Sequence, residues 1–145
     1  MKAILTIKKS PYSLLLLTAI ILLFVLVIAP AAGTGFKDKT IFSLPLTTMA
    51  WIITLLLTGF WLLYLATNKF LYSSTITWAH VLITVFTTIL IVPVLYIGIN
   101  PSEAVTGRYE LIGNAMQLLF VIFVLGQLIY IANVLLGLLG RHKAH

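Results

Sequence analysis

Residues 111–139 read LIGNAMQLLFVIFVLGQLIYIANVLLGLL, a stretch without a single charged side chain. About 20 helical residues cross a hydrocarbon core about 30 Å thick, so this stretch predicts a transmembrane helix that tilts or projects beyond the bilayer. Three more uncharged stretches, at residues 12–31, 45–66 and 76–99, are long enough to span. The 145-residue chain is 61% hydrophobic and only 8% charged, whereas soluble domains are about 25% charged. The sequence is therefore typical of an integral membrane protein.

The four stretches predict an all-α polytopic membrane protein, with four transmembrane helices in a bundle and a single membrane domain over residues 1–145. Asn100-Pro101 reads as a turn between the last two spans, because proline biases the preceding residue away from helix. The first stretch allows a second interpretation. Lys8 and Lys9, an apolar run and then Ala29-Pro30-Ala31 are also typical of a cleavable secretory signal, whose removal would leave three spans. The length of the run favours an uncleaved first helix.

The distribution of basic residues predicts the orientation, because cytoplasmic loops retain Lys and Arg during insertion. With four spans, one side would hold six basic residues and no acid: Lys2, Lys8, Lys9, Lys69, Arg141 and Lys143. The other side would hold three basic and three acidic residues: Lys37, Lys39, Arg108, Asp38, Glu103 and Glu110. Both termini are therefore expected in the cytoplasm, with a bacterial cytoplasmic membrane as the expected location. The net charge of +6 then forms a rim that attracts anionic lipid, and no nucleic-acid partner is needed to explain it.

The predicted spans contain few side chains that could act in catalysis or bind a metal. The chain has no cysteine, and no predicted span contains an acid or a base other than His80. A glycine-rich phosphate loop, a nucleophile motif and a zinc-binding His-Glu motif are also missing from the sequence. We therefore expect no catalytic residue, cofactor site or metal site, and no enzymatic activity. His80 is interpreted as a hydrogen-bonding residue between helices, while a haem-ligand or pH-sensing role stays open.

Polar and small residues recur at helical spacing in the last three spans. Such stripes are typical of helix-packing surfaces, because small residues allow backbones to approach and hydroxyls or amides bond across helices. Tyrosines and tryptophans such as Tyr12, Tyr64 and Trp61 lie mostly toward span ends and predict interfacial belts. The candidates for helix packing or partner binding are Thr47, Trp51, Thr54, Thr58, His80, Thr84, Thr88, Gly126, Gln127, Tyr130, Asn133 and Gly137.

Residues 36–140 also carry three short motifs in a suggestive order. These are Phe36-Lys37-Asp38-Lys39-Thr40-Ile41-Phe42 before the second span, Trp78-Ala79-His80-Val81 followed by Pro93 in the third, and Gln127-Leu128-Ile129-Tyr130 with Asn133 and Gly140 in the fourth. In this order they resemble the last three helices of haem-copper oxidase subunit I. That family has a His-Asp-Thr-Tyr-Phe-Val loop and then a helix that begins Ala-His-Phe-His. Leu46 and Thr48 stand where the two haem-ligand histidines would fall. The resemblance thus implies common descent or a similar fold, and implies no oxidase activity.

These observations favour a non-catalytic integral membrane protein that serves as an accessory or structural subunit of a larger membrane complex. Its partners would be the lipid bilayer and other membrane subunits. Two alternatives remain. One is a small homo-oligomeric channel or carrier, with the Thr47–Thr58 and His80–Thr88 stripes facing a shared path. The other is a haem-binding electron-transfer component whose ligands are shared between chains.

Overall fold

The computed structural model describes residues 10–25, 40–41, 44–99 and 109–142. Four α-helices make up nearly all of this part: α1 (Ser13–Leu23), α2 (Leu46–Thr67), α3 (Ser74–Ile99) and α4 (Tyr109–His142). A single 3-10 turn, Asn68–Phe70, follows α2 directly. Two short strands, β1 (Thr40–Ile41) and β2 (Leu44–Pro45), pair antiparallel just before α2, with Thr40 opposite Pro45 and Ile41 opposite Leu44.

Three helical stretches are long and apolar enough to cross a membrane: Trp51–Phe70, Ser74–Val94 and Glu110–Gly140. The second, third and fourth stretches are thus confirmed as helices of sufficient length and hydropathy to span. The helices α2, α3 and α4 begin and end within three residues of the predicted bounds. The first stretch appears as the shorter apolar helix α1. The rest of this predicted span, residues 26–31, lies outside the described residues, as does the motif Ala29-Pro30-Ala31. The strand pairing before α2 was not expected from the sequence.

Local hydrogen bonds explain where two of the helices begin. The backbone N–H groups of Ser13, Leu14 and Leu15 donate to carbonyls three residues earlier, so a tight turn through Pro11 leads into α1. Ser73 precedes α3 and acts as its N-cap. Its hydroxyl oxygen accepts from the Thr75 N–H at 3.2 Å, and its carbonyl accepts from the Thr77 N–H at 3.1 Å.

The helices make two main contacts. α3 and α4 pack along each other, and α1 packs on α2 while also touching α3. Pairing is antiparallel between α3 and α4: Gly126 lies beside Ile83, and Gly137 lies beside Phe70 in the preceding turn. The apolar core contains Leu15, Leu57 and Val81, which are fully buried. α3 also has a buried polar face, and the candidate site lies on this face.

Candidate functional site

A buried polar cluster lies where α2, α3 and α4 meet, and His80 is at its centre. The imidazole is completely buried, as is Tyr64 from α2. The Tyr64 hydroxyl lies 2.7 Å from His80 Nδ1, and Gln127 Oε1 from α4 lies 3.0 Å from His80 Nε2. One histidine on α3 therefore connects both neighbouring long helices through its two ring nitrogens.

The hydrogen-bond pattern assigns the protons in this cluster. Gln127 Nε2 donates to the Phe123 carbonyl at 3.1 Å, which turns the Gln127 carbonyl oxygen toward the imidazole. An amide oxygen only accepts, so His80 Nε2 carries the proton and donates to it. Nδ1 then keeps a lone pair and accepts from the Tyr64 hydroxyl. In this arrangement a neutral imidazole has a hydrogen-bond partner at each ring nitrogen.

Thr84, one helical turn beyond His80, completes the cluster on the α3 side. Its hydroxyl oxygen lies 3.2 Å from His80 Nε2 and 3.4 Å from Gln127 Nε2, so it accepts from these donors as a secondary partner. Thr87 and Thr88 are also buried, and they donate to carbonyls within α3. In an apolar surrounding such bonds satisfy hydroxyls that have no water to bind.

Aromatic rings enclose the cluster. Tyr130 packs edge-on against Tyr64 with ring centroids 4.8 Å apart, and its hydroxyl pairs with the Thr67 hydroxyl at 3.0 Å. Phe60 meets the His80 ring edge-on at 5.8 Å. Tyr12 from the start of α1 stacks on Tyr64 with centroids 5.5 Å apart. These rings fix the position of Tyr64, and therefore the direction of its bond to His80.

Asn133 fastens α4 to the turn before α3. Its Oδ1 accepts from the Ser73 N–H at 3.0 Å, and its Nδ2 donates to the Thr77 hydroxyl at 2.9 Å and to the Ser73 carbonyl at 3.3 Å. The Asn133 backbone carbonyl also accepts from the Tyr72 N–H at 3.2 Å. The side chain is fully buried. One residue thus satisfies backbone groups of the α2–α3 turn that would otherwise be unpaired.

Two glycines of α4 allow these close approaches. A Cβ added at Gly137 would overlap the carbonyl group of Phe70, so only glycine lets the turn lie against the helix here. A Cβ at Gly126 would come within 3.0 Å of Ile83 Cγ2. Small residues at such positions are a general feature of membrane helix contacts.

The structure brings most of the predicted residues of α3 and α4 together. His80, Thr84, Gln127 and Tyr130 form the cluster, and Gly126 lies next to Thr84. Thr88 is buried further along α3. Asn133 and Gly137 lie at the α2–α3 turn, apart from the cluster centre but on the same helix contact.

The predicted stripe on α2 behaves differently. Trp51 is 48% exposed, and Thr58 is half-buried and donates to the Thr54 carbonyl at 2.8 Å. Thr54 is buried, and its hydroxyl has no hydrogen-bond partner among the described residues. The side chain of Thr47 lies outside the described part. This stripe joins neither His80 nor Gln127.

Several residues of the site were missed from the sequence. The sequence predicts Tyr64 and Tyr12 in an interfacial belt, but they are 0% and 8% exposed, so both rings pack inside the protein and do not face lipid. Ser73, Thr77 and Thr67 were not singled out. Tyr64 lies seven residues after Leu57 and therefore on the same helical face, but only the structure shows that this face is buried.

Comparison with models of known protein families, with curated proteins and with solved structures found no match for this chain. The cluster is therefore interpreted from its own chemistry. Among the described residues no group of three or more His, Cys, Asp or Glu side chains is placed to hold a metal ion. What the arrangement does chemically is to join three helices: hydrogen bonds between membrane helices contribute about 0.6 kcal/mol each on average.

Proposed function

We propose that this protein is a non-catalytic integral membrane protein that acts as an accessory or structural subunit of a larger membrane complex. The proposal is based on the positions of the polar and apolar groups: the polar side chains are paired inside the protein, and the apolar side chains are exposed on its surface. His80, Tyr64, Gln127 and Asn133 are paired with groups of the chain itself. An enzyme site needs acids, bases or nucleophiles that a substrate can reach. In this cluster the polar atoms bond each other.

The outer surface supports an assembly role. Large apolar side chains are exposed on α2 from Trp51 to Leu65 and on α4 from Leu111 to Leu139, for example Leu55 at 66% and Phe120 at 65%. Lipid and the helices of other subunits are the two environments that such a surface suits. In the proposed arrangement the helices form a four-helix bundle, with both termini in the cytoplasm of a bacterial cell.

The alternatives fit the contacts less well. In a homo-oligomeric channel the His80–Thr88 stripe would face a path shared between copies, but His80, Thr84 and Thr88 are at most 4% exposed within one chain. In a haem-binding component His80 would need a free ring nitrogen. Its Nδ1 accepts from Tyr64 and its Nε2 donates to Gln127, so binding iron would require breaking this pairing.

Common descent with haem-copper oxidase subunit I remains a proposal. It is supported by the position of α2, which begins at Leu46 where the family's haem-ligand helix would begin. With Leu46 and Thr48 in place of histidines, the scaffold would be kept and the haem chemistry lost.

Extraction of the tagged protein in mild detergent, followed by a blue native gel and an absorbance spectrum, tests the proposal. We expect a complex heavier than the monomer, stoichiometric partner chains and no haem band assigned to His80. Single tryptophan substitutions on exposed faces, Leu118→Trp or Leu125→Trp on α4 and Leu55→Trp or Leu62→Trp on α2, should include some that release the chain. Thr75→Trp, at the exposed end of α3, serves as a control. A free monomer in every detergent tested would contradict the proposal.

A further inference from the structure

A polar cleft of about 220 Å³ opens at the end of the molecule where α2 turns into α3. It lies at the ends of helices, so in a bilayer it falls at the level of the lipid headgroups rather than the acyl chains, whichever side of the membrane this end faces. The cleft takes two residues from the start of α1, two from the turn and two from the first turn of α3. They are Pro11, Tyr12, Asn68, Leu71, Ser74 and Thr77.

The lining supplies hydrogen-bond donors to which no described residue is paired. Tyr12 is 92% buried with its ring against Tyr64, yet its hydroxyl has no hydrogen bond to any described residue. Ser74 and Asn68 are exposed at the mouth, where a hydroxyl and an amide can donate to an outside oxygen. Ser74 is also the first residue of α3, a position where the helix dipole favours negative charge. Thr77 is satisfied by Ser73 and Asn133 and forms part of the wall.

The sequence segments attached to this same end of the molecule are basic. Tyr12 stacking on Tyr64 places the start of α1 beside the end of α2, and Gly137 against Phe70 brings the end of α4 to the same turn. The sequence segments attached here carry six basic residues and no acid: Lys2, Lys8, Lys9, Lys69, Arg141 and Lys143. The three acids belong to the two connections at the other ends of the helices and to the start of α4. The sequence therefore attaches only basic residues to the end of the molecule at which a ligand would enter the cleft.

We propose that this cleft binds the phosphate-bearing headgroup of an anionic phospholipid. The Tyr12 hydroxyl, the Ser74 hydroxyl and the Asn68 amide donate to the phosphate oxygens, and the basic segments draw the lipid to this end. Lipid is the source rather than free phosphate because the cleft lies at the membrane surface. The helices that frame it also expose apolar side chains such as Leu17 and Leu65, on which acyl chains can lie.

A pair of matched double variants tests the site without altering any charge. Tyr12→Phe with Ser74→Ala removes two hydroxyls from the cleft and keeps the ring that stacks on Tyr64. Tyr72→Phe with Thr75→Ala removes the same two groups from exposed neighbours that do not line the cleft. Delipidated protein in micelles is offered equal amounts of phosphatidylglycerol and phosphatidylcholine, and bound lipid is counted by native mass spectrometry. Wild type and control should prefer phosphatidylglycerol, and the cleft variant should lose about tenfold or more of that preference.

Equal preference in the two double variants would overturn the proposal, because the basic segments alone would then explain the attraction. Inorganic phosphate added in place of lipid should not raise the unfolding temperature. Stabilisation equal to that by phosphatidylglycerol would overturn the assignment to lipid. Asn68→Asp provides a second variant should the first fold poorly: a negative charge in the cleft should abolish the preference, whereas Asn114→Asp on the exposed face of α4 should not. Retention of the preference in Asn68→Asp would likewise overturn the proposal.

Discussion

Tyr64 shows how a single hydroxyl organises the interior. It donates to His80 Nδ1 at 2.7 Å, and this direction is fixed because Gln127 takes the proton on Nε2. Without that donor the ring nitrogen would be a buried acceptor with no water nearby. Leaving one such group unpaired costs about 1–3 kcal/mol, which is more than the average hydrogen bond between membrane helices contributes.

Tyr64→Phe should therefore lower the free energy of unfolding in micelles by about 1–3 kcal/mol. Tyr72→Phe, at a side chain that is 63% exposed, removes the same hydroxyl and should change it little. Adding His80→Phe to Tyr64→Phe removes the unpaired nitrogen together with its partner, so the double variant should lose less than the sum of the two single effects. Equal destabilisation by Tyr64→Phe and Tyr72→Phe would show that the bond to His80 does not stabilise the fold.

At the scale of the helices, the sequence predicts the length of each long helix, but it predicts only in part which face of the helix is buried. Hydropathy located α2, α3 and α4 within a few residues, because an uncharged run of spanning length has few other stable structures. The inward edge of α3 was also recognisable, since His80 and Thr84 lie one turn apart. On α2 the predicted stripe was less informative, because Thr54 is buried whereas Trp51 is 48% exposed. Thr58 donates to the carbonyl of its own helix, so a threonine stripe needs no partner helix, and the buried face follows Leu57 and Tyr64 instead.

The close contact between the α2–α3 turn and α4 predicts how alanine substitutions in α4 change stability. Gly137→Ala should push the Phe70 carbonyl away, weaken the bonds of Asn133 to Ser73 and lower the unfolding temperature. Gly140→Ala meets nothing within 4 Å, and should stabilise the helix by up to about 1 kcal/mol because alanine is the better helix former. Thermal unfolding of both variants in the same detergent measures the difference. We expect changes in unfolding temperature of opposite sign. A Gly137→Ala variant as stable as Gly140→Ala would contradict the close contact between Gly137 and Phe70.

At the scale of the whole molecule, the helix contacts and the charge distribution give one consistent orientation. The start of α1, the α2–α3 turn and the end of α4 lie at one end, and the sequence attaches six basic residues and no acid to that end. By the positive-inside rule we expect this end in the cytoplasm, as proposed above. Because the chain has no cysteine, the labelling of a single introduced cysteine shows on which side of the membrane that position lies. Gly35→Cys, in the first connection, should react in intact cells with a thiol reagent that does not cross membranes. Ala144→Cys should react only after the membrane is opened, since it follows Lys143 in the basic tail.

The orientation should also withstand the loss of two of the six basic residues at this end. Replacing Lys8 and Lys9 by Gln should therefore leave the labelling of both cysteine variants unchanged. Labelling of Ala144→Cys in intact cells would place this end outside and reverse the proposed orientation, while leaving the helix contacts as described.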